Sequence, residues 1–240
     1  MSTAVMMKRI AEASPRPSAR ITGVVYLLYF LTAVLGGFLM RGIVVDGDAV
    51  ATANNLVAHQ ALFRLGLATG FIATACYIVV TALFYELFKP VNRGLSLLAA
   101  FFSLVGCAIL AFGSLFQLAP FVVLGGSQYL SVFKVEQLRA AALMFLELNT
   151  LAVNICLVFF GFYDLLIGYL IFRSTFLPRI LGVLMALAGL GWLTFLSPPL
   201  ANYLSPYNLV LGFLAELLLM LWLLVKGVNV QRWKEQASTA

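Results

Sequence analysis

Two carboxylates stand alone inside long apolar stretches of this 240-residue sequence, Asp164 in FFGFYDLLIGYLIF and Glu216 in LVLGFLAELLLMLW. Asp164 follows Gly161 by three residues and precedes Gly168 by four, so all three share one face of a helix. Glu216 follows Gly212 by four residues and shares its face in the same way. Small residues line the contacts between membrane helices, which predicts that both acids point into a helix bundle.

An ionised carboxylate costs about 2.5–3.5 kcal/mol at the centre of a bilayer. No Lys, Arg or His lies at a matching position within the apolar segments. Each acid is therefore expected to stay neutral, to bind a cation, or to accept hydrogen bonds from groups such as Tyr77, Tyr163 or Tyr169. A neutral acid that only bonds a neighbouring helix would hold the bundle together. The alternative is an ion- or proton-binding site formed by Asp164 and Glu216, and binding of another ligand also stays open.

The sequence carries no recognisable residue set for enzyme or cofactor chemistry. His59 is the single histidine, which excludes paired-histidine haem ligation and an HExxH zinc site within one chain. Cys76, Cys107 and Cys156 stand singly in apolar segments without CxxC spacing, and we expect buried packing thiols. A Walker loop and a GxSxG motif are both missing. We therefore predict no catalytic residues, no metal site, no cofactor and no enzymatic activity.

The composition is that of a membrane protein. Hydrophobic residues make up 63% of the chain and charged residues 10%, with a mean hydropathy of +1.04. Soluble domains average about 45–50% apolar and about 25% charged residues. A chain of this length therefore has room for several membrane helices and for no sizeable soluble domain.

Breaks at proline, glycine and charged residues predict an all-α bundle of six transmembrane helices. Each span needs about 20 apolar residues. The predicted spans are 19–40, 63–88, 94–118, 150–172, 179–197 and 207–228. They form a single transmembrane domain at 19–228, between an N-terminal tail at 1–18 and a C-terminal tail at 229–240.

Two segments outside these spans carry their own predictions. Asp48 is expected to cap a short helix that continues through Ala58. The stretch 132–172 contains no proline, and no glycine before Gly161. As one helix it would be about 60 Å long, twice the hydrocarbon thickness. Its first half is therefore expected to project from the bilayer or to lie at its interface.

The basic residues predict the orientation, because Lys and Arg concentrate in short cytoplasmic segments. Placing both termini in the cytoplasm puts eleven of them on that side: Lys8, Arg9, Arg16, Arg20, Lys89, Arg93, Arg173, Arg179, Lys226, Arg232 and Lys234. Four remain on the other side: Arg41, Arg64, Lys134 and Arg139. We also expect Glu86 to pair with Lys89 at i,i+3. Arg64 is expected to anchor to lipid head groups or to pair with Glu147.

Four segments resemble a known family: SPRPSARITGVVYLLYF, LFRLG, LFKPVNRGLSLLAA and LVFFGFYDLLIGYLIFRSTFLPRILGVLMALAGLGWL. They resemble bacterial membrane proteins grouped as domain of unknown function 4386, and the resemblance extends over nearly the whole chain. It implies a compact multi-helix membrane protein of bacterial type. It supplies no activity, cofactor or catalytic residue.

Two hypotheses about function follow. The first is a non-enzymatic membrane bundle, accessory or lipid-interacting, whose polar groups serve packing. The second is a small proton- or cation-coupled transporter or channel that uses Asp164 and Glu216. In both, the chain is a multi-pass protein of the bacterial cytoplasmic membrane with membrane lipids as partners. The net charge of +6 follows from basic residues at the head groups, so no nucleic-acid partner is expected. A protein partner or a homo-oligomer is left open.

Overall fold

The computed structural model describes residues 15–239, which form nine α-helices and no β-strand. We number the helices in chain order: α1 (Pro15–Met40), α2 (Ala49–Ala58), α3 (Gln60–Phe88), α4 (Arg93–Val123), α5 (Val135–Arg173), α6 (Arg179–Leu193), α7 (Pro198–Leu204), α8 (Tyr207–Val225) and α9 (Val230–Thr239). The predicted all-α class is confirmed. Lys8, Arg9 and most of the predicted tail at 1–18 lie outside the described residues.

Six helices in the described chain are long and apolar enough to cross a membrane, which confirms the predicted number of spans. They are Ser18–Met40, Gln60–Phe88, Arg93–Val123, Val135–Arg173, Arg179–Leu196 and Tyr207–Val225. The last turn of the fifth is the 3₁₀ helix Thr194–Leu196, which continues α6. Five of the six agree with the predicted bounds to within a few residues, and the fourth extends well beyond them at its start.

Helix ends follow from local capping. The Asp48 carboxylate accepts the backbone N–H groups of Val50 at 3.0 Å and Ala51 at 2.9 Å, which confirms it as the cap of α2. Helix α8 ends at Val225, short of the predicted residue 228. Gly227 takes a left-handed φ of +67° there, a conformation that ends helices and favours glycine.

The chain folds into two compact units, each formed by segments that are distant in sequence. Unit 1 contains the residues up to Leu27, Tyr77–Gly106 and the residues from Leu157 onward; unit 2 contains Leu28–Cys76 and Cys107–Cys156. Each has its own buried core.

The core of unit 2 is an apolar cluster of Ile43, Leu56, Phe63, Leu67 and Leu146. Leu146 belongs to the first half of α5, a continuous helix of 39 residues. That half was predicted to project from the bilayer or to lie at its interface. Its apolar side chains pack inside unit 2, so α5 starts far before the predicted span. The position of this half relative to the bilayer stays a prediction.

In unit 1, α5 and α6 contact each other through glycines, as the small-residue spacing predicted. A Cβ atom built on Gly168 would lie 2.7 Å from the carbonyl oxygen of Gly182 and 2.7 Å from the backbone nitrogen of Ala186. Two helical turns earlier in α5, a Cβ on Gly161 would lie 3.0 Å from the carbonyl oxygen of Gly189. Backbone touches backbone at both levels, so there is no room for a side chain.

This contact predicts that Gly168→Ala destabilises the protein. The methyl group meets backbone atoms that cannot rotate away, and overpacking costs about 1–3 kcal/mol, partly offset by the gain of about 1 kcal/mol from replacing glycine in a helix. Gly70→Ala in α3 is the matched control, because no atom lies within 4 Å of its built Cβ. Thermal unfolding in detergent micelles should show a lower Tm for Gly168→Ala and an equal or higher Tm for Gly70→Ala. Equal shifts in both variants would contradict a tight α5–α6 contact.

The segment predicted as a C-terminal tail contains helix α9, which packs against unit 1. Trp233 is buried, and its indole N–H donates to the carbonyl oxygen of Leu87 at the end of α3, at 3.0 Å. The backbone N–H of Asn229 donates to the carbonyl oxygen of Phe176 at 3.2 Å. One buried tryptophan therefore holds an otherwise polar helix in place.

Candidate functional site

Asp164 of α5 is completely buried in unit 1, with 0% of its surface exposed. It lies between the two glycine contacts that bring α5 against α6, so its helix cannot turn it toward lipid without breaking them. Neither carboxyl oxygen has a hydrogen-bond partner among the residues that the structure describes. A buried carboxyl group without a partner is uncommon, since most buried polar side-chain atoms are hydrogen-bonded.

Glu216 of α8 is also buried, with 7% exposure. The hydroxyl of Tyr26 in α1 donates to its Oε2 at 2.8 Å. Tyr26 was not among the tyrosines expected as donors, because no feature of the sequence singles it out. Tyr169, one of those named, is 48% exposed.

The two acids share α6 as a neighbour, which packs against α5 on either side of Asp164 and whose Trp192 ring lies against Gly212, one turn before Glu216. The indole of Trp192 in α6 approaches both of them, yet its N–H meets hydrogen-bond geometry with no described residue. Gly212 of α8 makes room for this ring, because a Cβ at Gly212 would overlap the Trp192 side chain. The structure thus brings the two predicted acids into one neighbourhood, with the Trp192 indole next to both.

Aromatic rings surround the acids. The ring of Tyr77 in α3 lies 6.0 Å from that of Tyr26, 4.8 Å from that of Phe160 and 6.1 Å from that of Tyr163. Neither acid forms a salt bridge within residues 18–238. The pair therefore lies in an apolar and aromatic environment without a basic side chain to balance a negative charge.

A buried hydroxyl pair in the same unit provides a contrast. The hydroxyl oxygens of Thr81 in α3 and Ser103 in α4 are 2.6 Å apart, and Thr81 also donates to the carbonyl oxygen of Tyr77 at 2.9 Å. Both side chains are satisfied by neighbouring groups, as expected of polar residues that join two membrane helices. Asp164 does not follow this pattern.

Unit 2 contains a separate polar cavity of about 480 Å³, lined by Asp46, Glu147, Gln117 and Asn149 among others. Its amides are satisfied: Gln117 Nε2 donates to Asn149 Oδ1 at 2.9 Å, and Asn149 Nδ2 donates to the Gly113 carbonyl oxygen at 3.0 Å. Both acids are exposed. Among the described residues that line this cavity, no buried side-chain oxygen or nitrogen lacks a hydrogen-bond partner, in contrast to Asp164.

The remaining predicted side chains have these positions. Cys107 and Cys156 are buried and Cys76 is half-buried, all three as free thiols. His59 is exposed at the end of α2. No group of three or more His, Cys, Asp and Glu that could hold a metal ion occurs within residues 15–239.

The two predicted charge interactions had different outcomes. Glu86 forms the predicted salt bridge with Lys89. Arg64 forms no salt bridge with Glu147 in the described structure. Its guanidinium lies instead over the ring of Phe121, 5.1 Å from the ring centre.

Comparison with known proteins places most of the chain in one family. The family described as "Domain of unknown function (DUF4386)" matches residues 21–227. A protein of Archaeoglobus fulgidus described as an uncharacterized protein is 27% identical over 153 residues, which cover 62% of this chain and 76% of the relative. No solved structure matches the chain.

Proposed function

This chain belongs to the family described as a domain of unknown function (DUF4386), and from its buried acid pair we propose a non-enzymatic, proton-binding membrane protein. The observation that carries the proposal is Asp164, fully buried beside Glu216 with both oxygens unpartnered in the described structure. Two carboxyl groups that share an apolar site cannot both be ionised at low cost. The pair is therefore expected to hold at least one proton, which is the proton that the second hypothesis, a proton-coupled transporter or channel, would use.

The first hypothesis, a bundle whose acids serve packing only, has less support at this site. An acid that joins two helices should bond a neighbouring helix, as Thr81 and Ser103 do. Glu216 satisfies this expectation through Tyr26, whereas Asp164 does not. The full burial of Asp164 is the observation in favour of a packing role, since a transport site must open to water in at least one state.

A proton is better supported than a metal cation as the bound species. A hard cation takes six or more oxygen ligands. The described surroundings of the pair offer two carboxyl groups, tyrosine hydroxyls and an indole N–H. The indole N–H is a donor only and cannot bind a cation, so these groups supply fewer oxygen ligands than a hard cation takes. We propose in addition that the protein lies in a bacterial cytoplasmic membrane with both termini in the cytoplasm, as the distribution of Lys and Arg predicts.

Carboxyl-to-amide variants test the proposal. Protein reconstituted into vesicles with an internal pH-sensitive dye should show proton flux under a potassium diffusion potential. Asp164→Asn combined with Glu216→Gln should lower that flux at least about tenfold, because an amide cannot carry the proton. Glu86→Gln is the matched control, since Glu86 is an exposed acid that pairs with Lys89, and it should keep the flux.

Infrared spectroscopy tests proton binding without a need for transport. The carbonyl band of a protonated, buried carboxylic acid should be present in the original protein at neutral pH and absent in the double variant. If the band is absent from the original protein, the pair does not hold a proton. If the band is present but the vesicles show no flux above protein-free vesicles, transport is refuted and the first hypothesis is favoured.

A further inference from the structure

A basic cavity lies where α8 ends, and neither Asp164 nor Glu216 lines it. Its volume is about 360 Å³, and it is lined by the hairpin between α5 and α6, the end of α8 and the start of α9. Trp222, Lys226, Arg232, Asn229 and Thr175 supply its aromatic and polar surface. It contains no acidic lining residue, so its chemistry favours an anion.

The two basic side chains of this cavity are not neutralised. Lys226 and Arg232 are both exposed, and neither forms a salt bridge with a described residue. One guanidinium nitrogen of Arg232 donates to the carbonyl oxygen of Thr175 at 3.3 Å, which fixes the position of the side chain and leaves further N–H donors available. The cavity therefore carries two positively charged side chains and no carboxylate, so it would bind an anion favourably.

The rest of unit 1 increases this positive charge. Apart from the buried acid pair, its described side chains include two acids, Glu86 and Glu235, one of which already pairs with Lys89. They include eight basic residues: Arg20, Lys89, Arg93, Arg173, Arg179, Lys226, Arg232 and Lys234. An exposed anion near the cavity is therefore attracted by charges beyond the two that line it.

The cavity is at the end of a candidate membrane span, where lipid head groups are expected. Lys226 directly follows the sixth candidate span, Tyr207–Val225. Trp222, one turn before it, is 36% exposed, as is typical of the aromatic residues at membrane interfaces. Trp222 and Lys226 are therefore expected to lie near the boundary between acyl chains and head groups.

We propose that this cavity binds the phosphate group of an anionic phospholipid, with Lys226 and Arg232 as its charge partners. Basic pockets between membrane helices bind such head groups. Arg232 offers a planar set of N–H donors to the phosphate oxygens and Lys226 a compact charge. Trp222 contacts the lipid below its head group. This site is independent of the acid pair and goes beyond the proposed proton binding.

Quenching of tryptophan fluorescence by brominated lipids tests the site. Trp222 is its natural reporter, because Trp192 and Trp233 are buried. In mixed micelles, the quenching of Trp222 should show that brominated phosphatidylglycerol binds beside it with about tenfold higher affinity than brominated phosphatidylcholine, as expected for two interacting charges. Lys226→Gln combined with Arg232→Gln should abolish this preference, so that the two lipids bind with equal affinity. Lys226→Gln alone should lower the affinity ratio by a factor of at least about three.

Lys134→Gln combined with Arg139→Gln is the matched control, because it removes the same charge from unit 2 and should keep the preference. The single Lys226→Gln variant guards against a folding defect, since Lys226 makes no described side-chain hydrogen bond. No preference in the original protein, or an equal preference in both double variants, would overturn the proposal. Loss of the preference on addition of millimolar inorganic phosphate would also overturn it, because the ligand would then be a soluble anion.

Discussion

Asp164→Ala should stabilise the protein, even though it deletes a completely buried side chain. Asp164 is 0% exposed and its carboxyl oxygens have no partner in the described structure. A buried polar group without a partner costs about 1–3 kcal/mol, and the alanine variant removes that cost. The small cavity that it leaves costs less. The free energy of unfolding at neutral pH should therefore rise, by less than about 3 kcal/mol, measured by thermal or denaturant unfolding in micelles.

Leu170→Ala is the control with matched burial in the same helix. Leu170 is also 0% exposed, but it is apolar, so its truncation should cost about 2–5 kcal/mol. The two truncations should thus change stability in opposite directions. If Asp164→Ala destabilises the protein as Leu170→Ala does, Asp164 holds the bundle together, and the packing hypothesis replaces proton binding.

A stabilising Asp164→Ala would have a clear meaning. Proteins keep unfavourable buried groups mainly where function requires them, and such positions gain stability when they are replaced. In this chain Thr81 and Ser103 show that the same unit can satisfy buried polar side chains through each other. The lack of a partner at Asp164 is then a local property of the site and no general feature of the packing.

The spans were largely predictable because the bilayer sets their length. Apolar runs of about 20 residues, interrupted by features such as Lys89-Pro90 and Pro178, place most helix ends within a few residues of the structure. The length of α5 was also expected, because 132–172 has no proline and no glycine before Gly161, but the packing of its first half was not. Residues around Leu146 pack into unit 2, and a membrane span cannot be told from a buried helical extension by hydrophobicity alone.

The position of the acids was predictable, but their partners were not. Gly161 and Gly168 mark the buried face of α5, so the inward direction of Asp164 follows from spacing. Tyr26 lies 190 residues before Glu216, and nothing in the run VVYLLYF separates Tyr26 from Tyr29 as a donor. Only the packing of α1 against α8, where a Cβ on Gly23 would lie 2.6 Å from the backbone of Leu224, makes that choice.

Helix α9 shows a further limit of sequence reasoning. Its residues VQRWKEQAST are mostly polar, so composition favours a tail. The helix is held by the burial of Trp233 and by its bond to the Leu87 carbonyl group. Further bonds join Arg232 and Gln236 of this helix to Thr175. Scattered long-range contacts of this kind leave no periodic signal in the sequence.

Tyr26→Phe should destabilise the protein by removing the hydroxyl that donates to Glu216. The aromatic ring remains and keeps its edge contacts with Tyr77 and Phe84, at 6.0 and 5.9 Å. The buried carboxyl group loses a donor, which costs about 1.5–3 kcal/mol when the acceptor is charged and about 1 kcal/mol when it is neutral. The free energy of unfolding of Tyr26→Phe in micelles measures this cost. Tyr203→Phe, at a position that is 83% exposed, is the control and should change stability by less than about 0.5 kcal/mol.

A double-mutant cycle with Glu216→Leu separates this bond from other effects of the substitution. Tyr26→Phe should be more costly beside Glu216 than beside Leu, because the bond to the carboxyl group exists only beside Glu216. The coupling energy also reports the charge of the acid: about 1.5–3 kcal/mol indicates a carboxylate, and about 1 kcal/mol a neutral acid. If Glu216 is charged at neutral pH, the proton of the pair resides on Asp164, which is the acid without a described partner. A coupling near zero would mean that the Tyr26 hydroxyl does not hold Glu216, and the assignment of Tyr26 to the site would fail.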